Sequence, residues 1–129
     1  MSTPDHLLYT KTHEWVRREG GEAVVGITVH AQEELRDVVF VELPNVGRSV
    51  KQGEAVAVIE SVKAAFDIYA PVSGTIARVN DSVSKNPQVV NQDCYGVGWL
   101  YTISPVSPDE FTRLMTAEQY TKQLQAETH

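Results

Sequence analysis

Two β-patterned runs joined by a very short connection constrain this chain more than any other feature. Glu54-Ala55-Val56-Ala57-Val58-Ile59-Glu60 carries the β-branched residues that suit a pleated, half-buried surface. Phe66-Asp67-Ile68-Tyr69-Ala70 alternates apolar and polar positions until Pro71 ends it. Glu60-Ser61-Val62-Lys63-Ala64-Ala65 leaves room between them only for a tight hairpin turn, although no Asn-Gly or Asp-Gly sets the turn type. Lys63 is therefore expected at or beside the tip. Taken alone, an exposed turn lysine reads as ordinary solvation. The alternative is a reactive amine held out on a rigid base, where a second protein can reach it.

The flanking sequence supplies more strands. Tyr9-Thr10-Lys11-Thr12-His13-Glu14-Trp15-Val16 leads into a first strand that turns at Arg17-Arg18-Glu19-Gly20-Gly21, and Glu22 to Ile27 forms a second. Thr28 is placed to cap a short helix through Leu35. Asp37-Val38-Val39-Phe40-Val41-Glu42-Leu43 is the clearest strand, stopped by Pro44 and turned at Asn45-Val46-Gly47. After the hairpin, Gly74 to Asn80 alternates again, Asp81 to Pro87 reads as a polar loop, and Trp99 to Ile103 is the last strand. A faint internal echo links Gly47-x-x-Val50-x-x-Gly53 with Gly74-x-Ile76-x-x-Val79. Ser107-Pro108-Asp109-Glu110 and Thr116-Ala117-Glu118-Gln119 each carry a capping-box signature, predicting a helical tail whose apolar stripes pack on the strands.

The 129 residues are enough to bury a core without disulfide or metal staples. They are read as one domain over 1–129, with a hairpin core over about 37–80 and a helical segment over about 107–125. A net charge of −6 argues against nucleic acid, whose phosphates require a basic face, and favours partners with basic docking surfaces. The single cysteine, Cys94, excludes an internal disulfide and a cysteine metal cluster, and reads as a small semi-buried filler. No apolar run approaches the length of a membrane span, and the first residues lack the basic and apolar regions of a signal peptide, so the cytoplasm is the expected compartment. A processed eukaryotic chain of the mitochondrial matrix would look the same.

Glu60-Ser61-Val62-Lys63-Ala64 followed by Asp67-Ile68-Tyr69-Ala70-Pro71-Val72-Ser73-Gly74 closely resembles the lipoyl-attachment segment of the H protein of the glycine cleavage system. The resemblance extends from the Tyr9-x-x-x-His13-Glu14-Trp15 opening to about Leu124, through Asn91-x-x-Cys94-Tyr95-Gly96-x-Gly98-Trp99. It implies a mainly β barrel-sandwich hybrid of the lipoyl/biotinyl type, with a short helix near 28–35 and C-terminal helices. It also implies lipoic acid in amide linkage on Lys63. By the same resemblance the chain is a carrier, not an enzyme. Its arm takes the aminomethyl group of glycine from a pyridoxal-phosphate glycine decarboxylase (P protein) to a tetrahydrofolate-dependent aminomethyltransferase (T protein). A dihydrolipoyl dehydrogenase (L protein) reoxidises it. A lipoate ligase or octanoyltransferase would load Lys63, and the carrier is expected to be a monomer.

A loaded arm needs shelter from water, and its cationic amine needs a carboxylate. Glu14 and Asp67 match family positions near the arm and are the candidates, against a reading of both as solvated surface acids. His13 beside Glu14 reads as a structural hydrogen-bonding residue, since no second His-rich element accompanies it. Three positions depart from the family pattern: Arg36 stands for glycine, Phe66 for a small polar residue and Cys94 for proline. Arg36 adds modest strain if the backbone there is left-handed. A Phe66 ring beside the arm would reshape the cleft, which keeps open a lipoate relay to other proteins. A biotinyl carrier is the remaining alternative, but its lysine normally lies between methionines, whereas Val62 and Ala64 flank Lys63.

Overall fold

The computed structural model describes residues 4–127. Its elements are β1 (Leu8–Tyr9), β2 (Glu14–Glu19), β3 (Glu22–Ile27), α1 (Val29–Leu35), β4 (Val38–Glu42), β5 (Ser49–Val50), β6 (Ala55–Ser61), β7 (Ala65–Tyr69) and β8 (Gly74–Val79). There follow α2 (Asp81–Lys85), α3 (Val89–Gln92), β9 (Tyr101–Pro105), a 3₁₀ helix (Pro108–Arg113) and α4 (Ala117–Glu127). The strands form a six-stranded sheet in the order β1-β2-β3-β9-β8-β5 and a three-stranded sheet in the order β4-β6-β7. This is the mainly β architecture, with a short helix after β3 and a helical tail, that the sequence predicts.

Alternation along the strands builds the core. Val16, Val25, Ile27, Ile76 and Ile103 from the larger sheet and Val41, Ile59 and Ile68 from the smaller one pack together between the sheets. The opposite side of β2 and β3 is also covered. Trp15 and Val24 pack there with Tyr9 from β1 and with Ala117 and Tyr120 from α4. Tyr9 and Tyr120 stack with centroids 4.8 Å apart. Burial on both faces explains why β3 reads as a continuous apolar run instead of alternating.

The two segments of the internal echo pair with each other. Ser49 and Val50 of β5 lie opposite Thr75 and Gly74 of β8. The expected loop over Asp81 to Pro87 is partly helical, because Asn80 caps α2 by accepting from the Ser82 N–H and Val83 buries its side chain. The capping box at Ser107 does not form. Glu110 accepts instead from the Ser73 N–H (2.6 Å) and hydroxyl (2.7 Å), and the segment winds as 3₁₀. The second box does form, with Thr116 N–H on Gln119 Oε1 (2.9 Å) and Gln119 N–H on Thr116 Oγ1 (3.3 Å). The tail, expected to lose its helix from Gln125 to His129, stays helical through Glu127, and Thr128 and His129 lie outside the described residues.

Candidate functional site

The hairpin forms in the register Glu60 opposite Ala65, Ile59 opposite Phe66 and Val58 opposite Asp67. Val62 and Lys63 are its exposed tip. Neither takes a positive φ, so the turn does not use the glycine-dependent hairpin geometries. Ser61 holds it instead: its hydroxyl accepts from the N–H groups of Lys63 (3.3 Å) and Ala64 (3.0 Å), while Ser61 N–H donates to the Ala64 carbonyl (2.7 Å). The side chain of Lys63 is thus free on a backbone that is pinned. At the other end, Gly53 and Ala70 close the hairpin through Gly53 N–H on Ala70 O and Ala70 N–H on Glu54 O, both 2.8 Å.

Glu14 lies beside that closed end. It is wholly buried, which removes the reading of a solvated surface acid for this residue. Its Oε1 accepts from the hydroxyls of Thr10 and Thr12, the latter at 2.6 Å, and its Oε2 accepts from the Tyr69 N–H at 3.0 Å. Tyr69 ends an edge strand, so the carboxylate satisfies an N–H that no neighbouring strand reaches and ties the two sheets together. Burial pushes the Glu14 carboxyl above the ordinary range, against the lowering effect of these hydrogen bonds.

Local sequence explains how Glu14 is placed. His13 takes φ 75°, turning the chain so that Thr10 N–H meets Glu14 O at 3.0 Å. Its Nδ1 lies 2.7 Å from the Tyr120 hydroxyl, which is itself 2.7 Å from Thr28 Oγ1. His13 therefore has the structural hydrogen-bonding role expected. Next, Trp15 is fully buried and donates from Nε1 to Cys94 O at 2.8 Å. Gly26 faces the indole across the ladder, and a Cβ there would fall 2.5 Å from the ring.

Glu14, Tyr69, Thr10 and Thr12 open onto a cleft of about 680 Å³, whose lining also includes the apolar Ala70, Pro71, Leu114 and Met115 and, on its polar side, Lys11 and Arg113. One buried carboxylate in a largely apolar wall suits a chain of methylenes ending in a cation. Asp67 is exposed and does not line this cleft; it lies two residues before Tyr69 on the same side of β7. Phe66 points the other way and packs against the core, so its ring does not reshape the cleft. Cys94 is buried, and burial pushes its thiol up to about 12, as befits a filler. Arg36 takes φ 62°, so the strain anticipated there is present. Sequence reasoning missed Ser61 as the clamp of the tip, and missed Thr10 and Thr12 as donors to Glu14. Ser61 was within reach as a serine opening a tight turn.

No described helix is long and apolar enough to cross a membrane. No group of three or more metal-ligating side chains is found among the described residues.

Comparison with known proteins converges on one family. Residues 7–127 match the family model described as glycine cleavage H-protein. The glycine cleavage system H protein of Thermus thermophilus is 53% identical over 127 residues, covering 98% of this chain and 99% of the relative. That of Rubrobacter xylanophilus is 54% identical over 122 residues, covering 90% and 97%. The crystal structure of a glycine cleavage system H protein from Mycobacterium marinum superposes with a TM-score of 0.86 at 40% identity, covering 95% of this chain and 99% of that one. That similarity identifies the two packed sheets as the lipoyl-type barrel sandwich. With a hairpin lysine, a cleft holding one buried carboxylate and nearly full-length similarity in both sequence and fold, this chain belongs to the glycine cleavage H-protein family, the lipoyl carriers of glycine cleavage.

Proposed function

We propose that Lys63 carries lipoic acid in amide linkage, and that the chain shuttles the aminomethyl group of glycine between the decarboxylase and the aminomethyltransferase before reoxidation by dihydrolipoyl dehydrogenase. The observation that carries this reading is the pairing of an exposed lysine on a clamped tip with a buried carboxylate, the one acidic side chain among the described residues of the cleft at the far end of the same hairpin. When bound, the lipoyl group supplies the dithiolane chemistry that accepts and releases the one-carbon unit.

The chain's own residues supply position. Ser61 fixes the tip, so the amine of Lys63 stands at a defined place for a loading enzyme and for each partner in turn. Tyr69 lies roughly 13 Å along β7 from Ala65, and a lysyl side chain prolonged by a lipoyl chain is of the same order of length. Ala65 and Asp67 face outward between the tip and Tyr69, leaving a track without bulky side chains, and Asp67 offers a first carboxylate along it. Glu14 is the second, and the residues around it exclude water. A cation arriving there pairs with a carboxylate that burial has made costly to ionise, which relieves the cost and holds the cargo. The side chain of Phe66 faces the core, so it gives no support to a specialised lipoate relay.

The test is reconstitution. Lipoylated chain, glycine decarboxylase, aminomethyltransferase, dihydrolipoyl dehydrogenase, tetrahydrofolate and NAD⁺ should together form NADH on addition of glycine. Lys63→Arg should give none. A lipoylated chain that supports no glycine-dependent NADH formation, in a system that works with another H protein, overturns the shuttle.

A further inference from the structure

The outer face of the three-stranded sheet has a composition that neither the core nor the cleft requires. β4 pairs with β6 as Val38–Ser61, Phe40–Glu60, Val41–Ile59 and Glu42–Val58, with a bulge between Val38 and Phe40. The extra residue turns two consecutive apolar side chains outward, and Val39 and Phe40 are 54% and 48% exposed. Continuing across the sheet gives two outward rows, Phe40-Glu60-Ala65 and Glu42-Val58-Asp67. Glu42, Glu60 and Asp67 thus frame an apolar patch, and the outward rows hold no lysine or arginine. Among the described residues no salt bridge engages these three acids. Unneutralised carboxylates close together on one face cost stability. The patch ends at the tip, where Val62 is 82% exposed and its N–H approaches Asp37 O at 3.4 Å.

We propose that this face, centred on Val39 and Phe40, is the docking surface for the enzyme that acylates Lys63, and that this enzyme brings an apolar socket with a basic rim. The inference rests on Lys63 being the attachment site. Charge complementarity sets the chemistry of the socket. Proximity selects the partner. An acylating enzyme must bring its active site to the lysine amine itself, and an interface of about 800 Å² on one partner covers the protein surface to roughly 16 Å from the tip, about five residues along a strand. Enzymes that act on the far end of the arm are under no such requirement to reach the amine. Phe40 is therefore a specificity determinant read before the arm exists, and it lies outside the buried core cluster.

The experiment measures initial rates of lipoyl transfer from lipoate and ATP by a lipoate ligase, read by intact mass, at several chain concentrations. Wild type is compared with Phe40→Ser, Glu42→Lys and Val106→Ser, the last removing an exposed apolar side chain outside this sheet. Phe40→Ser should raise KM about tenfold with kcat changed by less than about twofold, the size expected for losing a half-buried ring from an interface. Glu42→Lys, at an exposed position, should raise KM several-fold and flatten its salt dependence. Val106→Ser should match wild type. Phe40→Ser and Glu42→Lys both within about twofold of wild-type KM overturn the docking face while leaving Lys63 as the acceptor. Wild type left unacylated at Lys63 overturns the attachment reading, and the docking face with it.

Discussion

Replacing Arg36 by glycine should stabilise this protein, and the amount follows from its backbone. Arg36 follows α1 with φ 62° and ψ −128°, a conformation open to glycine and strained for a residue with a Cβ. Such strain costs about 1–3 kcal/mol. It persists because both sides are held. Arg36 N–H donates to Gln32 O at 2.9 Å, its carbonyl accepts from the Asn91 amide, and Asn91 Oδ1 accepts from Val38 N–H at 2.9 Å. Glycine relieves the strain but gives back about 0.4–1 kcal/mol through the freer unfolded chain. The net gain is roughly 0.5–2 kcal/mol. For 129 residues the unfolding entropy is about 0.27 kcal/mol/K, so Tm should rise by roughly 2–7 °C in a calorimetric melt. Arg36→Ala is the control, because it removes the exposed guanidinium and keeps the Cβ. A glycine variant no more stable than the alanine variant refutes the strain account.

Glu14→Gln keeps an acceptor for Tyr69 N–H and presents an amide to two hydroxyls that can rotate to accept it. Because burial raises the Glu14 carboxyl in the fold, the unfolded chain loses that proton first as pH rises. Wild-type stability therefore falls between the ordinary carboxylate range and the raised folded value, and Glu14→Gln escapes that fall. In melts at about pH 4 and about pH 7 the variant should gain on wild type at the higher pH; a constant difference contradicts a raised carboxyl. Tyr101→Phe removes a fully buried hydroxyl that has no hydrogen-bond partner among the described residues. It should stabilise by about 1 kcal/mol in urea unfolding, and a loss of that size would mean that the hydroxyl is satisfied after all.

The sequence made some of this architecture legible and hid the rest for physical reasons. The lysine hairpin was readable because one face of each strand is buried, which imposes alternation on Phe66 to Ala70 and makes Pro71 a stop. The helix at Asp81–Lys85 was hidden because five residues carry too little periodicity, and Asn80 looks the same in a loop as in a cap. Ser107 and Glu110 carry a helix-start pattern that tertiary structure overrides, since Ser73 offers Glu110 two donors at once. Thr116 and Gln119 carry the same kind of pattern and meet no competitor. At the site, the turn places Lys63 at the tip, but only the resemblance reads it as an attachment site. Glu14 was singled out only by resemblance, because its burial depends on Tyr69, more than fifty residues away in the chain. Phe66 was expected near the arm, yet the register Ile59 opposite Phe66 sends its ring to the core.

The most direct test of the carrier account is a peptide mass spectrum of the whole chain after incubation with lipoate, ATP and a lipoate ligase, with Lys63→Arg treated in parallel. The account predicts one lipoyl amide on the peptide containing Lys63, none on any other lysine, and none on the variant, which should melt as wild type does because the tip side chain packs against nothing. An unmodified Lys63 under conditions that label another H protein, or a lipoyl group that persists in Lys63→Arg, would contradict it.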